Sequence, residues 1–84
     1  MSSGKRRNYP KIDWVAVGRR LRELRGLEMT QADLAERIGV SQGFLSHAER
    51  GEKEIGAATL LAISHQFGIS IEQLLTGRTQ RGSN

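Results

Sequence analysis

The sequence predicts an all-α domain of five short helices, and three observations carry that prediction. Helix-capping residues and glycine stops recur at short intervals through the middle of the chain. Between them, apolar residues return at spacings of three and four, the period of one helix face. No segment alternates apolar and polar residues convincingly over a strand's length, and no hairpin signal appears.

A first helix opens at Asp13, a residue type whose side chain accepts from the free amides of a first turn. Val17, Leu21 and Leu24 then fall at i, i+4 and i+7, and Gly26 lies near the end. Thr30 caps a second helix with Leu34, Ala35 and Ile38 inward, stopped at Gly39 in the left-handed conformation that only glycine adopts cheaply. Ser41 caps a third, with Leu45 and Ala48 inward and Gly51 as its stop. Ile55 and Leu60 stand at N′ and N4 around Gly56, a hydrophobic staple for a fourth helix that ends at Gly68. Ser70-Ile71-Glu72-Gln73 reads as a capping box for a short fifth helix containing Leu74 and Leu75. Residues 12–77 form this single domain; residues 1–11 read as a flexible basic arm closed by Pro10, and residues 78–84 as a disordered tail.

Composition narrows the chemistry. With 37% hydrophobic residues but one Trp, one Tyr and two Phe, the core must be built mainly from Leu, Ile, Val and Ala. Cysteine is absent, which excludes disulfides, thiolate metal sites and a thiol nucleophile. The longest apolar stretch, around Ala57 to Ile63, falls far short of the roughly 18 residues of a membrane span. Lys5-Arg6-Arg7 is followed by Asn8-Tyr9-Pro10-Lys11-Ile12-Asp13, with no apolar run of a leader peptide. A soluble, cytoplasmic protein is expected. The net charge of +4 is concentrated at the ends, because residues 12–77 carry seven basic residues against all nine acids, net −2. Within that span the positive charge is local, with Arg19, Arg20, Arg22 and Arg25 crowded together as in many solvated helix faces.

The stretch from Gln31 to Arg50, QADLAERIGVSQGFLSHAER, carries the functional signal. Two helices of about eight residues joined only by Gly39-Val40-Ser41 must cross steeply. Ala35 supplies the small residue for the close approach and Gly39 the left-handed turn, while Leu34, Ile38, Val40, Leu45 and Ala48 fill the inner angle. This is the helix-turn-helix arrangement, whose second helix is free to enter a DNA major groove.

From about Val17 to Gly77 the chain resembles the phage-repressor/Cro-type (XRE) helix-turn-helix family. The matching text is VGRRLRELR, MTQADLAERIGVSQGFLSHAERG and TLLAISHQFGISIEQLLTG, roughly three-quarters of the sequence. It departs from the family in a link from Arg25 to Gln31 one residue short, and in Ile55-Gly56 at the fourth helix entrance. The resemblance implies a compact five-helix, lambda-repressor-like domain that binds operator DNA, commonly as a homodimer.

Individual positions take their expected roles from both sources. Gln42, first after the Ser41 cap, can present a donor and an acceptor to adenine N6 and N7; the resemblance likewise implies that it reads a base. Gly43 admits close approach of the helix to DNA, and Phe44 either touches a thymine methyl or a sugar or covers core. Ser46 and His47 lie on the outward face, where His47 can donate to a guanine acceptor or a phosphate. Gln31, Ser41, Arg50 and Lys53 are expected at phosphates, positioning the domain without reading sequence. The resemblance also implies that Gln31 can brace Gln42, and that Glu49 forms a structural ion pair with Arg25. Lys5, Arg6 and Arg7 are candidates for the backbone or a minor groove. Ile71, Leu74 and Leu75 are the dimer-patch candidates: one or two of them can finish the monomer core, and the rest are expected to form the patch.

The expected function is therefore a transcriptional regulator binding a pseudo-palindromic duplex as a homodimer, with third helices in successive major grooves about 34 Å apart. An antitoxin or adaptor-type protein-interaction module is the rival. An enzyme is not expected: a Ser46-His47-Glu49 grouping fails because neighbours on a helix point about 100° apart. No paired carboxylates or phosphate-binding glycine loop stand out, and His47 with His65 lacks further metal ligands. No cofactor, metal or small-molecule ligand is evident.

Overall fold

The computed structural model describes residues 11–78. Five helices follow one another: α1 Trp14–Arg25, α2 Gln31–Ile38, α3 Gln42–Glu49, α4 Ala57–Phe67 and α5 Ile71–Thr76. Their starts follow the capping residues. The Asp13 side chain accepts from the Ala16 amide at 3.2 Å, and Ser41 Oγ accepts from the Phe44 amide at 3.0 Å. Thr30 and Asp33 form a full reciprocal capping box, with both bonds within 3.2 Å. At α5 only half of the expected box is present, Ser70 Oγ accepting from the Gln73 amide at 2.9 Å.

The core collects one face from each helix: Val17 and Leu21, Leu34, Ala35 and Ile38, Leu45 and Ala48, Leu60 and Ile63, and Leu74, with Ile55 from the loop before α4. α3 packs against both α1 and α2, α5 against α1 and α4, and α4 against α2. Ile55 and Leu60 are both buried, as a staple around Gly56 requires. Leu24 is half-buried against this core rather than within it.

Two turns set the orientation of α3. At its start, Gly39 has φ 79° and ψ 32°, and the Val40 amide returns to the Ala35 carbonyl at 3.0 Å. At its end, Arg50 follows the helix and Gly51 takes φ 78°. The Gly51 amide bonds Ala48 O at 3.0 Å and the Glu52 amide bonds His47 O at 2.9 Å, the paired pattern of a left-handed helix stop. The chain thereby turns at the end of α3 and brings the Glu52 side chain to His47.

Gly18 fixes the other contact of α3. A Cβ at that position would overlap the carbonyl oxygen of Ala48 and lie 2.6 Å from that of Glu49, both backbone atoms. α1 and α3 therefore touch backbone to backbone, which only glycine permits.

Among the described residues no helix is long and apolar enough to cross a membrane. Lys5, Arg6 and Arg7, with nearly all of the arm and most of the tail, lie outside the described residues.

Candidate nucleic-acid interface

α3 has one buried and one outward face. Leu45, Ala48 and Glu49 are buried, whereas Ser41, Gln42, Gly43, His47 and Arg50 are exposed and Ser46 is intermediate. Gln42 opens the helix, and its side chain is exposed. Around Gly43 there is open space: an added Cβ would have its nearest neighbour at 4.0 Å, the Ser41 hydroxyl. Nothing in the fold demands glycine there, although glycine costs a helix up to about 1 kcal/mol relative to alanine.

Glu49 anchors the hidden side. Its side chain is 3% exposed and accepts from Arg25 Nε at 2.7 Å and Arg25 Nη2 at 2.9 Å. Arg25 Nη1 also donates to Met29 O at 3.1 Å, which ties down the short α1–α2 link. Gln31 Nε2 donates to Glu49 Oε1 at 2.9 Å. Burial pushes the Glu49 carboxyl up, but hydrogen bonds from Arg25 and Gln31, with the Arg25 charge, more than offset it and hold the group below its ordinary range. The same bonds raise Arg25, with the Glu49 hydrogen bond leading. One carboxylate thus fastens α1, α2 and α3 together directly behind the outward face.

The outward face carries its own polar network. Arg50 Nη1 donates to Ser46 Oγ at 2.8 Å, and its Nε and Nη2 reach Glu52 Oε2 and Oε1 at 3.3 and 3.2 Å. His47 Nδ1 lies 2.7 Å from Glu52 Oε1. The Arg50 and His47 contacts hold the Glu52 carboxyl below its ordinary range. Ser46, Arg25, Gln31, Glu49 and Arg50, with Arg22, also line a shallow cavity of about 210 Å³ between α1, α2 and α3.

Several expectations change. Leu74 is 1% exposed inside the monomer core, so it cannot form a dimer patch; Ile71 and Leu75 remain half-buried at its edge. Of the two readings of Phe44, packing against the core is the one seen: it is half-buried there, and only part of the ring stays accessible. The Gln31 side-chain amide is engaged by Glu49 instead of bracing Gln42. Arg20 is more than solvated charge: its Nη1 donates to Leu74 O at 3.0 Å and finishes the C-terminus of α5. Lys53 is exposed in the loop after α3. Glu52 is the residue that sequence reasoning missed, and its only signal was an acid one step beyond the Gly51 stop. Among the described residues no group of three metal-ligating side chains assembles.

The sequence matches the helix-turn-helix family over residues 19–74, which takes in most of α1 and reaches into α5. The chain belongs to the helix-turn-helix family of the phage-repressor and Cro (XRE) type. The family is one of DNA-binding transcriptional regulators. Among solved helix-turn-helix structures, the P22 c2 repressor bound to a synthetic operator is 38% identical, with a TM-score of 0.69 over 74% of this chain and 96% of that one. The restriction-modification controller protein C.AhdI from Aeromonas hydrophila is 30% identical, with a TM-score of 0.67 over 74% of this chain and 96% of that chain. A propionyl-CoA carboxylase regulator from Cereibacter sphaeroides is 37% identical over 66 residues, 77% of this chain. The chain spans only 14% of that regulator's length.

Proposed function

We propose that this helix-turn-helix domain binds a specific double-stranded DNA site as a symmetric homodimer in the cytoplasm and thereby regulates transcription. The observation that carries the reading is α3 itself, a helix pinned from behind by Arg25, Gln31 and Glu49 whose opposite edge presents Gln42, Gly43 and His47 to solvent.

In this reading Gln42 pairs with an adenine edge, and Gly43 lets the helix backbone close on the groove. Ser46 and His47 lie along the groove floor, and Phe44 offers at most its accessible ring edge to a methyl group. Ser41, the α2 N-terminus at Gln31, Arg50 and Lys53 hold phosphates and set the register. Ile71 and Leu75 supply the apolar rim of the contact between two copies. No enzymatic role is proposed.

The experiment is duplex binding as a function of salt, for the wild type and Gln42→Ala. Two Arg50 and two Lys53 per dimer give a slope of log affinity against log salt of about −3.6, or roughly a 150-fold loss between 50 and 200 mM. Gln42→Ala should cost about 1–3 kcal/mol on the preferred duplex and relax one base pair. A protein-interaction module would bind no duplex appreciably at either salt, and that outcome overturns the proposal.

A further inference from the structure

The stop at Gly51 brings an acid against the outward face of α3, where a polyanion is expected to dock. Glu52 Oε1 sits 2.7 Å from His47 Nδ1. A carboxylate only accepts, and hydrogen bonds from Arg50 and His47 hold this one in its ionised form. An unprotonated Nδ1 would set its lone pair against an anionic oxygen at that distance, so Nδ1 carries the proton. Arg50 Nη2 lies 3.2 Å from the same nitrogen, but a guanidinium only donates and cannot share a nitrogen that already bears hydrogen. Three of its five donors are met instead by Ser46 Oγ and both Glu52 oxygens, which leaves two free among the described residues.

We propose that Glu52 fixes the Nδ1 proton of His47, so that at a pH above the ordinary imidazole range the ring offers Nε2 as an acceptor and selects a base whose exocyclic amino group faces it, adenine N6 or cytosine N4. The two ring nitrogens are distinct, and the partner of one dictates what the other offers. Nε2 lies across the ring from Glu52 and has no hydrogen-bond partner among the described residues. A neutral His47 held this way cannot donate to guanine O6 or N7, the contact that the opposite tautomer would make. Glu52 is thus a positioning residue that determines specificity without touching a base. The inference rests on the reading of α3 as the DNA-contacting helix.

The test is a selection from random duplexes with the full chain, His47→Ala and Glu52→Ala, at about pH 8, above the ordinary imidazole range. His47→Ala identifies the base pair that depends on that side chain. At this pair, an analogue lacking the exocyclic amino group should bind wild type about ten-fold more weakly, while an analogue lacking purine N7 should bind equally well. Glu52→Ala should flatten preference at that pair alone; affinity gained from the released Arg50 charge spreads over all sequences. Nitrogen NMR of the free protein should show the Nδ1–H form in wild type and its loss in Glu52→Ala. The inference is overturned by no His47-dependent pair, by the opposite analogue pattern, or by an unchanged preference in Glu52→Ala. If wild type selects no duplex, the reading of α3 fails instead.

Discussion

Replacing Glu49 by alanine removes the one carboxylate that joins α1, α2 and α3. Two Arg25 bonds at 2.7 and 2.9 Å and one Gln31 bond at 2.9 Å disappear together. Breaking a buried ion pair by deleting one partner costs about 3–5 kcal/mol, because the other charge is left behind uncompensated. Arg25 is 16% exposed and keeps its bond to Met29 O, so part of its charge is recovered by water and the expected cost falls to about 2–4 kcal/mol. A domain of this size has a total stability of only about 5–10 kcal/mol, which makes that a severe lesion. The melting temperature should drop by about 10–25 °C. Urea unfolding followed by circular dichroism measures it, and Arg25→Ala with the double variant completes a cycle. A coupling of about 1.5–3 kcal/mol between the two positions is expected. A single-variant loss below about 1 kcal/mol, or additivity within about 0.5 kcal/mol, would refute the view that this pair locks the three helices.

Three further outcomes follow from the same geometry. Because the folded Glu49 carboxyl sits below its ordinary value of 4.5, the unfolded chain takes up that proton first on acidification. Its stabilisation is present above 4.5 and fades as pH falls through the folded value; urea midpoints should decline there in wild type and decline less in Glu49→Gln, and parallel declines would contradict this. Gly18→Ala forces a Cβ into the Ala48 and Glu49 carbonyls and should destabilise by about 1–3 kcal/mol or more, read as a lowered urea midpoint, whereas an unchanged midpoint would show that α1 and α3 can separate freely. Gly43→Ala meets only open space and should raise stability by up to about 1 kcal/mol while weakening duplex binding; a variant gaining on both counts would remove the reason given for that glycine.

The parts of this fold that were legible in the sequence are those decided locally. Thr30, Ser41 and Ser70 announce helix starts because their oxygens bond amides three residues on, and Gly39 and Gly51 announce stops because their own backbone turns left-handed. Gly18 was silent, since its reason lies in the backbone of α3, some 30 residues away in sequence. Leu74 and Leu75 read alike as neighbours on a six-residue helix, and only the packing of α5 against α1 and α4 decides which is swallowed. Glu52 was missed for a related reason. Gly51 marks a stop in the sequence, but the approach of Glu52 to His47 emerges only from the paired bonds to Ala48 and His47. The Arg25 and Glu49 partnership was expected from the family resemblance, and the Gln31 bond that completes it was not.

Amide NMR of the full chain titrated with its selected duplex shows whether the outward edge of α3 meets DNA. The largest shifts should fall on Gln42, Gly43, Ser46 and His47, with smaller ones at Gln31, Arg50 and Lys53. Perturbations centred on exposed apolar positions elsewhere, such as Val15, Leu27 or Leu61, with α3 unmoved, would contradict it.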